Sequence, residues 1–500
     1  MNKGQGFDRC AGILMPVSSL PSPYGIGTLG KAAYEFVDFV VEAGHHYWQV
    51  LPLGPTSYGD SPYQSFSAFA GNPYFIDLDM LVEDALLDEA YVNGFDWGGD
   101  GEDINYSYLF ENRFVVLKKA YGNFLKTRGV KGFEAFKEEA GEWLDEYSSY
   151  MAIKAHFGYR SWCEWDDDIR FRKPAALEKY KKMLAQEMDF WAFCQYEFSI
   201  QWKKLKAYAN GRGVEIIGDI PIYVALDSSD VWCHPDMFLL DKNLAPVKVA
   251  GVPPDAFTDL GQKWGNPLYD WDALEKDDFG WWRRRMSAQA GLYDVIRIDH
   301  FLGVIKYYTI PAHDPDAKNG EYKKGPGRLL TDAINQSIGD KRIIAEDLGV
   351  EMPEVEELLR SNGYPGMKVL EFAFDGNAAN PHLPHNYTRD LVVYGGTHDN
   401  ETLLGYYSAR SGRELEYAIE YLNAASPRKM VEESFRVAYL SVAATVIFQM
   451  QDILCLGNEA RINFPSTLGG NWQWRMKKGV LTHGLAEGLR KLARISGRIL

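Results

Sequence analysis

The sequence predicts an α/β protein: a (β/α)8 TIM barrel enlarged by insertions. Three observations predict it. Eight short, apolar, β-branched segments recur along the 500 residues, helix-length patterns separate most of them, and ionisable side chains gather where several of them end. Repeated strand–helix alternation implies parallel pairing, and eight such units suggest a closed barrel.

The first strand is expected at 12–17. Beyond it, Gly25-Ile26-Gly27-Thr28-Leu29-Gly30 matches the glycine spacing of a dinucleotide-binding turn. Pro21 and Pro23 intervene between strand and glycines, however, and the second strand, at 47–53, ends in Pro52-Leu53-Gly54 with no acid to hold a ribose. A glycine-rich turn opening a helix near Lys31 is the expected reading. The second strand runs into loop 54–64, which holds Ser61 and Tyr63 and is long, polar and aromatic in the manner of a functional loop.

From 77 to 210 the composition turns to Glu, Lys, Leu and aromatics, predicting a mainly helical insertion after strand two. The third strand, 214–223, contains Asp219. A second insertion, 226–292, is expected to be irregular, with a Gly/Pro-rich ordered loop at 251–269 carrying Gln262, Trp264 and Asn266. Strands four to seven are expected at 294–299, 342–347, 368–374 and 391–397. An apolar helix at 435–449 is predicted to precede the last strand at 452–456. A bare barrel takes about 250 residues, so the excess belongs to the two insertions. About 43 residues follow the last predicted strand, too few for a C-terminal β-domain, and none is expected.

Composition narrows the function. Apolar content of 46% and charged content of 24% are ordinary for a globular protein. A net charge of −16 argues against a nucleic-acid partner, which would require a basic stripe. The run Arg283-Arg284-Arg285 is expected to be a solvated helix face. Five scattered cysteines without Cys-x-x-Cys fit a reducing compartment and no zinc site. No signal peptide or membrane-spanning stretch is legible, so the expectation is a cytoplasmic protein with no membrane partner. His45, His46, His234, His382 and His385 have no partners at ligand spacing, so neither metal nor cofactor is expected. The sequence carries no signal of oligomeric state.

The strand ends carry the chemistry. Arg297 and Asp299, two apart on a strand, point to the same side, and a guanidinium there favours an ionised carboxylate. Asp219, Glu346, Asp347 and the run His398-Asp399-Asn400 end other strands on the face where barrel enzymes keep their sites. So many carboxylates repel one another and do not serve stability. Together with 14 Trp and 30 Tyr, whose faces suit sugar rings, they suggest glycosyl transfer between one ionised and one protonated carboxyl. Glu346 and Asp347 are adjacent, and sequence alone does not say which faces the barrel axis.

These segments resemble the 4-α-glucanotransferase (amylomaltase, or disproportionating enzyme) family, glycoside hydrolase family 77. The resemblance rests on Ser61-Pro62-Tyr63-Gln64, Gly218-Asp219-Ile220-Pro221, 251–257, Trp264-Gly265-Asn266-Pro267, Arg297-Ile298-Asp299-His300-Phe301, Ala345-Glu346-Asp347-Leu348-Gly349, Thr397-His398-Asp399-Asn400 and Asn471-Trp472-Gln473-Trp474-Arg475. It implies Asp299 as nucleophile, Glu346 as general acid/base and Asp399 as transition-state stabiliser. It further implies Tyr63, Asp219, Trp264, Asn266, Arg297, His398, Ser61 and Gln262 as substrate-binding or site-shaping residues, with maltooligosaccharides and starch- or glycogen-derived α-1,4-glucans as partners. An α-amylase-like hydrolase is the alternative. One departure stands out: where the family reads Arg-Met-Asn-x-Pro-Gly, this chain has Arg461-Ile462-Asn463-Phe464-Pro465-Ser466.

Overall fold

The computed structural model describes residues 6–57, 59–98, 101–126, 130–254, 258–349 and 352–499. Tyr58 of the 54–64 loop and Asp255, Ala256 and Phe257 of the 251–257 segment lie outside the described residues.

Eight strands form one all-parallel sheet: β1 (Cys10–Leu14), β2 (Tyr47–Gln49), β3 (Glu215–Pro221), β4 (Val295–Asp299), β5 (Arg342–Ala345), β6 (Gly366–Val369), β7 (Leu391–Tyr394) and β8 (Thr445–Gln449). Their hydrogen-bonded order is β6-β7-β8-β1-β2-β3-β4-β5. The row curls until its ends meet, where Ala345 N–H donates to Pro365 O at 3.0 Å and Met367 N–H to Asp347 Oδ1 at 2.7 Å. The strands are continuous apolar runs, such as Val295-Ile296 and Ile343-Ile344, because a parallel sheet wrapped by helices is buried on both faces.

The last strand differs from expectation. The helix spans Pro427–Leu440, and β8 lies at Thr445–Gln449 rather than at 452–456. Ser441 stops the helix by turning its N–H and hydroxyl back onto Ala438 O. The β-branched run Thr445-Val446-Ile447 then pairs with both β1 and β7. The segment predicted as that strand begins instead with a short helix, Met450–Ile453.

Between β2 and β3 the chain is helical, ending in the long helix Ala185–Gly211. After β3, the stretch read from sequence as an ordered loop contains two antiparallel strands, Lys248–Val252 and Gln262–Pro267. Lys306–Pro311 and Glu321–Lys324, from beyond β4, complete a four-stranded sheet with them. Glycines and prolines hid these strands; Gln262–Pro267 pairs with Lys248–Val252, which pairs in turn with Lys306–Pro311 from beyond β4. The run 283–285 is likewise not a uniformly solvated face. Arg285 is buried and donates to Pro221 O and to Ile222 O (3.2 Å), bracing the chain as it leaves β3.

The glycine-rich turn at 25–30 has a packing explanation. A β-carbon on Gly27 would strike Val17 O, and one on Gly30 would strike the Asp77 carboxylate. That carboxylate, held by Thr28 Oγ1 at 2.6 Å, packs against the start of helix Lys31–Glu42. Gly25 also takes a φ of 77°, which a side chain would disfavour.

Candidate active site

Arg297 organises the site. On β4 it stands beside Asp219 on β3, in a register that pairs the two residues directly. Its Nη1 donates to both Asp219 oxygens at 2.7 Å and to Asp299 Oδ1 at 2.9 Å. Burial works against the guanidinium charge, but Asp219 and Asp299 outweigh it and hold Arg297 firmly protonated. Burial raises the Asp219 carboxyl, and Arg297 opposes that. Asp219 is 1% exposed, so its oxygens serve protein partners. Asp299 remains partly open.

Tyr63 continues the chain of contacts from the 54–64 loop. Its hydroxyl donates to Asp219 Oδ2 at 2.9 Å. With its one proton directed there, the oxygen accepts from His398 Nδ1–H at 3.2 Å. The two rings stack with centroids 4.7 Å apart, and Trp472 packs against both. His398 Nε2 lies 3.4 Å from Asp399 Oδ2. Asp219, Arg297, Asp299, Tyr63, His398 and Asp399 thus form one contiguous polar network across the barrel mouth.

Glu346, just past β5, is oriented by backbone. Its Oε2 accepts from His300 N–H at 2.7 Å and its Oε1 from Leu348 N–H at 2.8 Å. Burial first, and the Asp299 charge second, push its carboxyl up to about 8. Its neighbour Asp347 turns instead to β6, accepting from Met367 N–H. That separates the adjacent acids: Glu346 sits beside Asp299, and Asp347 ties the sheet ends.

Asp399, in the loop after β7, has a side chain 48% exposed. Asn463 Nδ2 donates to its Oδ1 at 2.6 Å and Arg461 Nη2 to its backbone O at 2.7 Å. Arg461 and Asn463 thus hold Asp399, a role that the motif fragment 461–466 does not reveal from sequence. The Arg-x-Asn spacing after the last strand was the available signal.

Trp264 is half-buried, and its indole N–H donates to Gln262 Oε1 at 3.1 Å. Asn266 is buried and faces inward. Its Nδ2 donates to Val224 O at 2.8 Å and its Oδ1 accepts from Gln64 at 2.9 Å. Ser61 Oγ accepts from Tyr63 N–H at 3.3 Å, shaping the loop that carries the tyrosine.

An eight-stranded barrel with carboxylates and aromatic rings gathered at the C-terminal strand ends defines an enzyme of the glycoside-processing class. Comparison with known proteins narrows this. The model of glycoside hydrolase family 77, 4-alpha-glucanotransferase, matches residues 15–482. The chain is 51% identical over 486 residues to the 4-alpha-glucanotransferase of Clostridium butyricum, covering 97% of this chain and 100% of that one. It is 45% identical over 501 residues to the Thermus thermophilus 4-alpha-glucanotransferase, covering 98% and 99%. The amylomaltase of Streptococcus agalactiae, solved in complex with acarbose, superposes with a TM-score of 0.95 at 42% identity, covering 98% and 100%. The chain belongs to glycoside hydrolase family 77, the 4-alpha-glucanotransferases. Membership favours transfer over the hydrolytic alternative. Among the described residues no helix is long and apolar enough to cross a membrane.

Proposed function

We propose that the site transfers α-1,4-glucan segments by a retaining double displacement, with Asp299 as nucleophile, Glu346 as general acid/base and Asp399 as transition-state stabiliser. The observation that carries this reading is the contrast between two neighbouring carboxyl groups. Asp299 is ion-paired to Arg297, whereas Glu346 is buried and pushed up to about 8. Glycosyl transfer of this kind needs one ionised and one protonated carboxyl flanking the anomeric carbon.

Asp299 attacks that carbon while Glu346 protonates the departing glucan oxygen. Asp399 steadies the oxocarbenium-like state, with Asn463 and Arg461 fixing its position. Glu346, now a base, takes the proton of an incoming 4-hydroxyl, and the acceptor displaces Asp299 with retention. Tyr63 and His398 line the donor side, and Trp264 with Gln262 lines the acceptor side. Maltooligosaccharides and longer α-1,4-glucans are the substrates, a choice supported by the acarbose bound to the Streptococcus agalactiae amylomaltase. Five free cysteines support a cytoplasmic setting. Replacing Asp299 by Asn should abolish turnover while leaving the far-UV circular dichroism and melting intact. A folded variant with wild-type turnover would remove the assignment.

A further inference from the structure

His300, directly after the Asp299 strand, touches both sides of the reaction centre. Its φ of 52° lies in the left-handed region that a side chain disfavours, and such strain persists where the surroundings enforce it. The strained turn directs its N–H to Glu346 Oε2 at 2.7 Å. Its imidazole meets the indole of Trp264 edge to face, with centroids 4.8 Å apart and planes at 88°. The ring also packs over Gly303, where a β-carbon would sit 3.2 Å from His300 Cδ2. Among the described residues, no hydrogen bond to the ring nitrogens is formed, and Trp264 and Gly303 pack against the ring. Burial lowers the imidazole to about 4, which keeps it neutral at working pH.

We propose that His300 is a positioning residue that couples acceptor binding at Trp264 to the Glu346 carboxyl, and so favours a sugar hydroxyl over water. This rests on the acid/base reading of Glu346 and the acceptor-side reading of Trp264. A sugar stacked on Trp264 presses the indole onto His300, steadies the strained turn and keeps the amide on Glu346 Oε2. Water makes no such contact, so it leaves the turn less restrained when it takes the acceptor's place. The ligand that makes the extra contact favours the ordered turn by that difference alone.

The test is a double-mutant cycle on maltotriose with wild type, His300→Asn, Trp264→Ala and the double variant. Asparagine tolerates positive φ, so the turn is kept and the ring removed. His300→Asn should lower the transfer-to-hydrolysis ratio by about fivefold, the scale expected of a coupled contact pair, and the double variant should fall no further than the lower single. The alkaline limb of kcat/KM should also move upward in His300→Asn, because a looser amide favours the ionised carboxylate less. An unchanged ratio, or effects that multiply in the double variant, would overturn the proposal. If His300→Asn does not fold, His300→Gly, which also accepts the turn, carries the same readouts. Glu346→Gln run alongside separates the two ideas. Its inactivity with an unmoved ratio in the His300 variants defeats the coupling alone, whereas wild-type activity in Glu346→Gln defeats the acid/base reading itself.

Discussion

A single nitrogen, Nη1 of Arg297, sits 2.9 Å from Asp299 Oδ1 while also holding both oxygens of Asp219 at 2.7 Å. The buried cation thereby fixes the orientation of a carboxylate that is itself partly open to substrate. Asp219 in turn anchors Tyr63, so Tyr63 and Asp299 share one support.

Removing that cation should be costly twice over. Arg297→Met leaves the Asp219 and Asp299 carboxylates facing each other, with Asp219 fully enclosed. Breaking a buried ion pair by deleting one partner costs about 3–5 kcal/mol. The variant should unfold at markedly lower denaturant and lose more than about a hundredfold in kcat through the misplaced Asp299. Chemical denaturation and steady-state kinetics check the two effects separately.

Glu346 ties activity to pH. In the proposed mechanism its protonated form is the acid, so turnover should fall as pH rises through about 8. The stability effect follows from the same shift. The folded site holds the proton more tightly than the unfolded chain, so stability is full at acid pH. It declines once the unfolded carboxyl ionises above its ordinary 4.5, and the loss is complete above about 8. Glu346→Gln cannot ionise. It should therefore be inactive, and its stability should lack the decline between pH 5 and pH 8 that the wild type shows. Calorimetry of both proteins at pH 5 and pH 8 measures the difference.

Asn463 should matter to chemistry more than to binding. Its amide holds Asp399 Oδ1 at 2.6 Å, and Asp399 is otherwise half exposed. Asn463→Ala should cut kcat by about ten- to a hundredfold with a smaller change in KM, since interactions made mainly in the transition state act on kcat. Asn463→Asp, which sets a like charge against Asp399, should be worse. Initial rates across maltotriose concentrations separate the parameters.

Ser466 takes a φ of 64° where the family motif has glycine. A left-handed non-glycine residue costs about 1–2 kcal/mol, while glycine's extra chain entropy costs about 0.5–1. The balance favours Ser466→Gly by about 0.5–1 kcal/mol. Its melting temperature should rise by a few degrees at most and should not fall.

Most of the barrel was legible because each parallel strand is a buried apolar run ending in polar groups, as at Val295–Asp299. The eighth strand was misplaced because 437–448 reads as one apolar stretch, in which the end of helix Pro427–Leu440 and the start of Thr445–Gln449 are separated only by the Ser441 turn. The four-stranded sheet escaped notice because Gln262–Pro267 has glycine and proline where alternation is sought, and because Lys248–Val252 finds its second partner, Lys306–Pro311, far along the chain. Side-chain direction was also out of reach. Glu346 and Asp347 are separated by what each accepts from, His300 and Leu348 in one case and Met367 in the other. Backbone strain at His300 has no signature in the sequence at all.

The most direct measurement is to incubate the purified protein with maltotriose and separate the products by size. Transfer through Asp299 and Glu346 predicts glucose plus a ladder of longer maltooligosaccharides, with little growth in total reducing ends. Glucose and maltose alone, with reducing ends rising to match, would contradict it.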